Sequence, residues 1–368
     1  MCNHLFTEDS RMKNFIKAFI FITIFIIIVC VLNRVFSPVG SSEGGWYVAG
    51  AMRDMYKQKK NTIDVLYVGN SNVYTGVSPL EIYDNIGITG YSASTPQQDM
   101  IGSFYIAKEF FKIQKPKVVM LDVGEIFTIR EHFTELGMRS EIDYMKSGLH
   151  KIDILNDECM NFSLSEKASY LIPVVRYHSR YDRLTEFDIR KLVLKSEISY
   201  KGYLYEDKTE KYKNRSKNNY NEYKKYEEEH NQSDILNIDL KIPNYINEKI
   251  DLLIQLCKEN ESELVLMMMP ITDERAIEKS EFIKEYAKEK GVKYVDFNME
   301  KEDPINWETD TQDKGEHLNI KGAEKVGNYV SKFLKENFEI ESKKDKKEYD
   351  SWNKCLEAYN ERKKQNNV

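Results

Sequence analysis

The sequence predicts an α/β domain built on a parallel sheet with helices on both faces, preceded by one transmembrane helix. Three observations predict it. Short apolar runs alternate with amphipathic stretches on either side of a long mid-chain segment. Two of the runs, Lys117–Val123 and Glu263–Met269, read as strands buried on both faces. The third is Ala18–Leu32, which carries no charge and only Thr23 as a polar residue.

Phe15 and Ile16 lengthen that apolar run, because Lys17 can extend its ammonium toward lipid headgroups. About 18 residues at 1.5 Å each give about 27 Å, close to the hydrocarbon core of about 30 Å. Soluble helices are rarely apolar all round over this length. Arg11, Lys13 and Lys17 precede the run and Arg34 follows it, so the charge bias puts the N-terminus in the cytoplasm and the chain from about residue 37 outside. No small-x-small cleavage site follows, and Val29 is bulkier than a lipobox carries before Cys30. The reading is an uncleaved signal anchor that contacts membrane lipid through residues 15–36 of a single-pass protein.

The elements follow in order. Val39–Trp46 (VGSSEGGW) is a Gly/Ser-rich linker. Thr62–Val68 is a strand ending in Gly-Asn-Ser, Ile88–Ala93 a second strand, and Gln97–Ile113 a helix with Met100, Ile101, Phe104, Ala107, Phe110 and Phe111 apolar. After Lys117–Val123, the second half supplies helix Tyr245–Glu259, strand Glu263–Met269, helix Glu274–Lys290, strand Lys293–Phe297 and a closing helix, Ile320–Lys335. The expected organisation is anchor 1–36, linker and lead-in 37–60, first core half 61–127, insertion or cap 128–243, second core half 244–338, and charged C-terminal helix 339–368. Within the insertion, Tyr200–Asp234 is dense in Lys, Glu, Asn and Tyr and reads as solvated and mobile, either a cap over the site or a surface loop. In the tail, Trp352, Leu356 and Tyr359 are spaced to share a helical face that docks on the body or on a partner.

Composition narrows the function classes. The 368 residues carry 54 Lys+Arg against 60 Asp+Glu, and a net charge of −6 argues against nucleic acid as the main partner. The 5 cysteines are scattered without a C-x-x-C pair, and no Gly-rich phosphate loop is present. His132 with Glu131 and Glu135 lacks a second histidine at helical spacing, so no metal and no cofactor is expected.

The chemistry-bearing residues lie at two places. Ser71 directly follows the first exported strand in VLYVGNSNVY, where reactive groups of a parallel sheet collect, and the turn can aim its backbone N–H at an oxyanion. A turn serine that only caps the next helix has the same local pattern. Near the C-terminus, TQDKGEHLNIKGAEKV places Asp313 four residues before His317. A serine hydroxyl needs an imidazole to take its proton and a carboxylate to fix that imidazole's tautomer. Of the 6 histidines, only His317 stands beside an acid at a strand-to-helix junction.

Together, GNS at Gly69–Ser71 and D-x-x-x-HLN-x-x-GA-x-K from Asp313 to Lys325 resemble the SGNH/GDSL hydrolase superfamily. The resemblance covers roughly 62–125 and 244–337, and is strongest to the membrane-anchored branch. That branch includes the alginate and peptidoglycan O-acetylation proteins and the D-alanine transfer protein of teichoic acid modification. It implies a flavodoxin-like three-layer SGNH-hydrolase fold, with Ser71 as nucleophile, His317 as base and Asp313 as orienting acid. The superfamily spacing is commonly D-x-x-H, which leaves Asp310 as a rival acid. Asn70 stands where an Asp is usual, and LDVGE (Leu121–Glu125) replaces the expected G-x-N-D. The second oxyanion donor is therefore sought in SASTPQQ, at Ser94 or Gln97, beside the Ser71 N–H. Asp122 and Glu125 are given no catalytic part, because a carboxylate would oppose an oxyanion. The resemblance implies acyl transfer or ester hydrolysis on an envelope polysaccharide or related acylated polymer, with a polytopic acyl-exporting membrane protein as a candidate partner. A non-catalytic SGNH-like component that binds a polymer or a membrane partner is the alternative.

Overall fold

The computed structural model describes residues 2–37, 45–127, 134–146, 149–190, 199–212, 224–225, 228–229, 240–272 and 275–366. In chain order the elements are α1 Cys2–Phe36, α2 Gly45–Met55, β1 Val65–Gly69, α3 Ser71–Gly76, α4 Pro79–Ile86, β2 Gly90–Ser94, α5 Met100–Phe111, β3 Val118–Asp122, α6 Glu135–Ile142, α7 Leu149–Leu155, α8 Leu164–Leu171, α9 Pro173–Tyr177, α10 Glu186–Arg190, α11 Asn244–Glu259, β4 Glu263–Met268, α12 Ala276–Lys290, β5 Lys293–Asp296, α13 Ile320–Asn337 and α14 Asp350–Gln365. They fall into two compact units, Met1–Gly45 with Lys146–Lys195, and Trp46–Met145 with Ser196–Val368.

In the first unit, Arg11–Phe36 of α1 is long and apolar enough to cross a membrane, and its apolar window is not buried against protein. Ile154 and Leu155 of α7, Met160 after it and Tyr170 of α8 are the buried apolar residues of this part. The Phe162 and Tyr170 rings lie 5.0 Å apart. A capping box between Ser163 and Glu166 starts α8, and Pro173 opens α9.

The second unit carries one parallel sheet in the order β2-β1-β3-β4-β5. This is the flavodoxin-like order expected from the alternation of strands and helices. Alternation within the strands divides the core. Val65, Tyr67, Val118, Met120, Val265 and Met267 join the cluster that includes Val326, Val330 and Leu334 of α13. The alternate residues Leu66, Val68, Val119, Leu121, Leu264 and Leu266 are equally buried, toward the opposite face. There α5 packs on β1 and α11 on β4. Both faces are covered, so near-continuous apolar strands are what this sheet requires. The strand order reverses at β1, whose neighbours are β2 and β3, and the crevice for chemistry opens at the carboxyl ends of these strands.

Several boundaries differ from expectation, each for a local reason. The strand expected over Thr62–Val68 starts at Val65, because the Thr62 and Ile63 N–H groups donate to the Gln114 side chain. The helix expected from Gln97 starts at Met100: Asp99 is its N-cap and accepts from the Gly102 N–H, while Gln97 has φ +54. The lead-in 37–60 contains α2, and the insertion contains α6 to α10.

The larger correction concerns Tyr200–Asp234. Its first part, residues 200–212, is a strap laid on the core, not a solvated loop. Ser92 of edge strand β2 donates to the Lys201 carbonyl (2.9 Å), Leu204 N–H to Tyr74 O (2.8 Å), Ile320 N–H to Glu206 O (2.7 Å), and Tyr212 N–H to Trp307 O (2.9 Å). Tyr203 and Tyr205 are buried. The rest of that stretch lies largely outside the described residues. The tail helix α14 docks on this unit: Trp352 and Tyr359 are buried, and Lys363 bridges Glu81 and Glu324.

Candidate active site

Strand β1 ends at Gly69. A Cβ there would lie 2.6 Å from Val73 Cγ2 and 2.7 Å from Asp122 Cβ, so the chain can turn between β3 and α3 only without a side chain. Asn70 is extended (φ −88°, ψ −156°) and its side-chain oxygen accepts from the Asn72 N–H, capping α3. Ser71 is therefore the first helical residue. Its N–H has no partner among the described residues, as the first-turn position dictates. The half-buried hydroxyl lies 2.7 Å from His317 Nε2.

His317 is positioned by a closed loop. Thr311 and Leu318 form an antiparallel bridge. The Thr311 hydroxyl donates to His317 O (2.9 Å) and accepts from Gly315 N–H (2.8 Å). Lys314 (φ +65) and Gly315 (φ +94) are left-handed. Asp313 then grips His317 twice, accepting its N–H at Oδ1 (2.7 Å) and its ring Nδ1 at Oδ2 (2.5 Å). With Nδ1–H donating to Asp313, Nε2 is left to accept the Ser71 proton. Burial pushes the Asp313 carboxyl up, but the hydrogen bond and charge of the His317 ring, with its backbone N–H, hold it below its ordinary value. The Tyr74 hydroxyl is pushed up to about 12 by burial and by the Asp313 charge.

Asp310, the rival acid, is placed elsewhere. It is buried, accepts from Asn306 N–H (2.8 Å) and Thr309 Oγ1 (2.7 Å), and pairs with Lys325 (3.0 Å). Asn319 caps α13 through Lys321 and Gly322. A Cβ on Gly322 would come within 2.6 Å of Asp310 O. The HLN-x-x-GA-x-K block is thus largely the scaffold of the histidine loop.

Neither side-chain donor expected in SASTPQQ lines the cavity beside the serine turn. Ser94 ends β2 as the register partner of Gly69, with its hydroxyl buried and without a hydrogen-bond partner among the described residues. Gln97 Oε1 accepts from the Thr134 hydroxyl (2.6 Å). The cavity, of about 20 Å³, is lined instead by Asn70, Gln98, Ser103, Asp122 and Glu125, among others. The Gln98 amide donates one of its two N–H groups to Ser103 Oγ (3.1 Å). With its oxygen on Asn72, Asn70 can turn its NH₂ to the cavity, a role the sequence reading did not assign it. Asp122 Oδ1 accepts from Gly124 and Met269 N–H groups, and desolvation pushes the carboxyl up to about 7. His132 and Glu131 lie outside the described residues. Among the described residues, Asp313, Glu316 and His317 bring three donor atoms within 4.8 Å of one another, but both His317 nitrogens are already engaged by Asp313 and Ser71.

No protein-family profile matches this chain, and no curated protein matches it. A solved structure described as a "putative lipolytic protein of G-D-S-L family from Desulfitobacterium hafniense DCB-2" is similar at TM-score 0.36 and 13% identity, over 74% of this chain and 100% of that one. A likeness this slight carries no functional argument. The second unit of this chain is a doubly covered parallel α/β domain of flavodoxin-like order, with a serine and a histidine–aspartate loop meeting at its crevice.

Proposed function

We propose that this chain is a serine acyl-esterase or O-acyltransferase of the SGNH/GDSL type. In this reading α1 anchors it as a single-pass protein, with the N-terminus cytoplasmic and the α/β unit on the outer side. Its substrate is an acylated envelope polysaccharide or related polymer. One observation carries the catalytic reading: the hydrogen-bonded chain from Ser71 Oγ through His317 to Asp313, with steps of 2.7 and 2.5 Å.

In the reaction, Ser71 Oγ attacks the acyl carbonyl carbon and its proton passes to His317 Nε2. Asp313 stabilises the imidazolium. The carbonyl oxygen becomes an oxyanion that accepts from the Ser71 N–H and the Asn70 amide. Collapse breaks the bond to the leaving alcohol, which takes the proton from His317. Water or a sugar hydroxyl then attacks acyl-Ser71, with His317 again as base, giving hydrolysis or transfer. Anchoring suits transfer, since it keeps the serine beside a membrane-borne donor or a polytopic acyl-exporting protein.

A non-catalytic envelope component is the second reading. It is favoured by Gln97 being engaged by Thr134 and by Ser94 lying outside the cavity lining, which leaves only one fixed backbone donor for an oxyanion. p-Nitrophenyl acetate turnover by the full chain in detergent separates the two. Ser71→Ala and His317→Ala are each expected to lower the rate by about 10³-fold or more at unchanged Tm. Equal rates in all three folded proteins would replace the enzyme reading with the binding one.

A further inference from the structure

The first unit exposes an apolar surface that the fold leaves uncovered. Leu164 is 86% exposed and Tyr181 74% exposed, and Leu171, Ile172, Val175 and Ile189 are exposed with them. On α8, the residues turned inward are Ser169 and Tyr170, and Lys151 Nζ donates to Tyr170 O (3.1 Å) on that side. The short helices thus expose large apolar side chains, interspersed with polar ones such as Glu166 and Arg176, outside a small core that includes Tyr170.

Their attachment says what level they occupy. Asn33 and Arg34 are the first polar residues after the apolar run Ala18–Leu32, so they mark where hydrocarbon ends on that side. The platform is fixed there. Asn33 Oδ1 accepts from Val174 N–H at the start of α9 (2.9 Å), and Arg180 Nη1 donates to Phe36 O at the end of α1 (2.6 Å). Arg180 also pairs with Asp188 (3.2 Å), which ties in α10.

We propose that α8, α9 and the 3₁₀ turn His178–Arg183 form an interfacial platform. It lies in the headgroup region at the foot of α1 and inserts Leu164, Ile172, Val175 and Tyr181 to the acyl boundary. The occupant of the apolar face is the lipid bilayer itself. Residues 163–190 carry five basic against four acidic side chains, so insertion rests on apolar area and the Tyr181 ring, not on anionic lipid. The proposal rests on the anchor reading of α1. Its consequence is that the chain leaves the membrane on a platform of fixed orientation instead of a free tether.

Site-directed spin labelling tests it in the full chain, in protein-free phosphatidylcholine liposomes. Single cysteines replace Phe25, Leu164, Val175 and Tyr181 in a background with the native cysteines changed to Ser. Oxygen and nickel-chelate accessibility are calibrated against headgroup- and chain-labelled lipids. The Phe25 label is expected deep in the hydrocarbon. The other three are expected at the headgroup–acyl boundary, oxygen-accessible and shielded from nickel, unchanged when anionic lipid is added. A deep Phe25 with water-accessible Leu164, Val175 and Tyr181 labels would overturn the platform, leave the anchor standing, and assign that face to a protein partner. A water-accessible Phe25 would overturn both. Boundary depth only with anionic lipid would overturn the apolar basis claimed here.

Discussion

The two halves of the candidate site are supported in opposite ways. Ser71 stands on the sheet: it follows β1, the turn closes on Gly69, and Asn70 caps the next helix within two residues. His317 stands on a loop with little regular structure, held by side chain–backbone bonds inside 311–318 and by the strap 204–212 outside it. Strand position and the Gly69–Asn70 turn set the serine. The histidine needs partners from about 110 residues earlier in the chain, such as the Lys208 carbonyl on Asn319. A nucleophile can thus be placed by local geometry, while its base is placed by tertiary contacts that must form before the site exists.

The strongest test of that contrast is inside the histidine loop, where two acids three residues apart have different tasks. Asp313→Asn removes the acceptor that fixes the His317 tautomer, and p-nitrophenyl acetate turnover is expected to fall about 10³- to 10⁴-fold with little change in Tm. Asp310→Asn leaves Lys325 without its buried charge partner and is expected to cost about 1–3 kcal/mol, with turnover per folded molecule retained. If Asp310→Asn silences the enzyme at unchanged stability while Asp313→Asn does not, the roles given to these acids are reversed.

The next test breaks the strap. Gly202 has φ +79, and a Cβ on it would lie 2.0 Å from Ser92 O, so Gly202→Ala must push the strap off the edge of β2. A loss of about 2–3 kcal/mol is expected from left-handed strain and overpacking together. Turnover is expected to fall several-fold at temperatures where the protein remains folded, because the Tyr74 end and the Ile320 end of the site share this strap. Thermal denaturation and initial rates read the two effects. Unchanged rates would show that the histidine loop needs no outside support.

This division explains what the sequence made legible. The sheet was readable because both-face burial leaves an unambiguous apolar signature at Val118–Leu121 and Leu264–Met268. That Ser71, Asp313 and His317 come together was readable because serine, histidine and aspartate stand in short local patterns at a strand end and a helix start. The choice between Asp313 and Asp310 was not, since it depends on the left-handed pair Lys314 and Gly315, of which only the glycine leaves a trace. The strap was misread for a deeper reason. Its bonds run backbone to backbone through Leu204, Glu206 and Tyr212, so the sequence that makes them resembles any polar loop. Asp99 was a missed signal: an N-cap aspartate before an apolar helix fixes the start of α5 and turns Gln97 away.

The smallest expected effect concerns the serine half, where a carboxyl is packed against the turn. Asp122 Cβ lies in the space a Gly69 side chain would need, and desolvation lifts the carboxyl from 3.8 to about 7, despite the Gly124 and Met269 N–H groups on Oδ1. Its folded value lies above its unfolded one, so the native state binds the proton more tightly. The stability this proton contributes is fully present below about pH 4 and is lost as pH rises through about 7. Asp122→Asn keeps an acceptor oxygen for the two N–H groups and cannot ionise. The Tm of the variant relative to the native chain is therefore expected to rise steadily from pH 4 to pH 7 and then level off. A difference that stays flat from pH 4 to pH 8 would mean that Asp122 is ionised throughout and that water reaches it. The cavity beside the serine turn would then be a wet pocket.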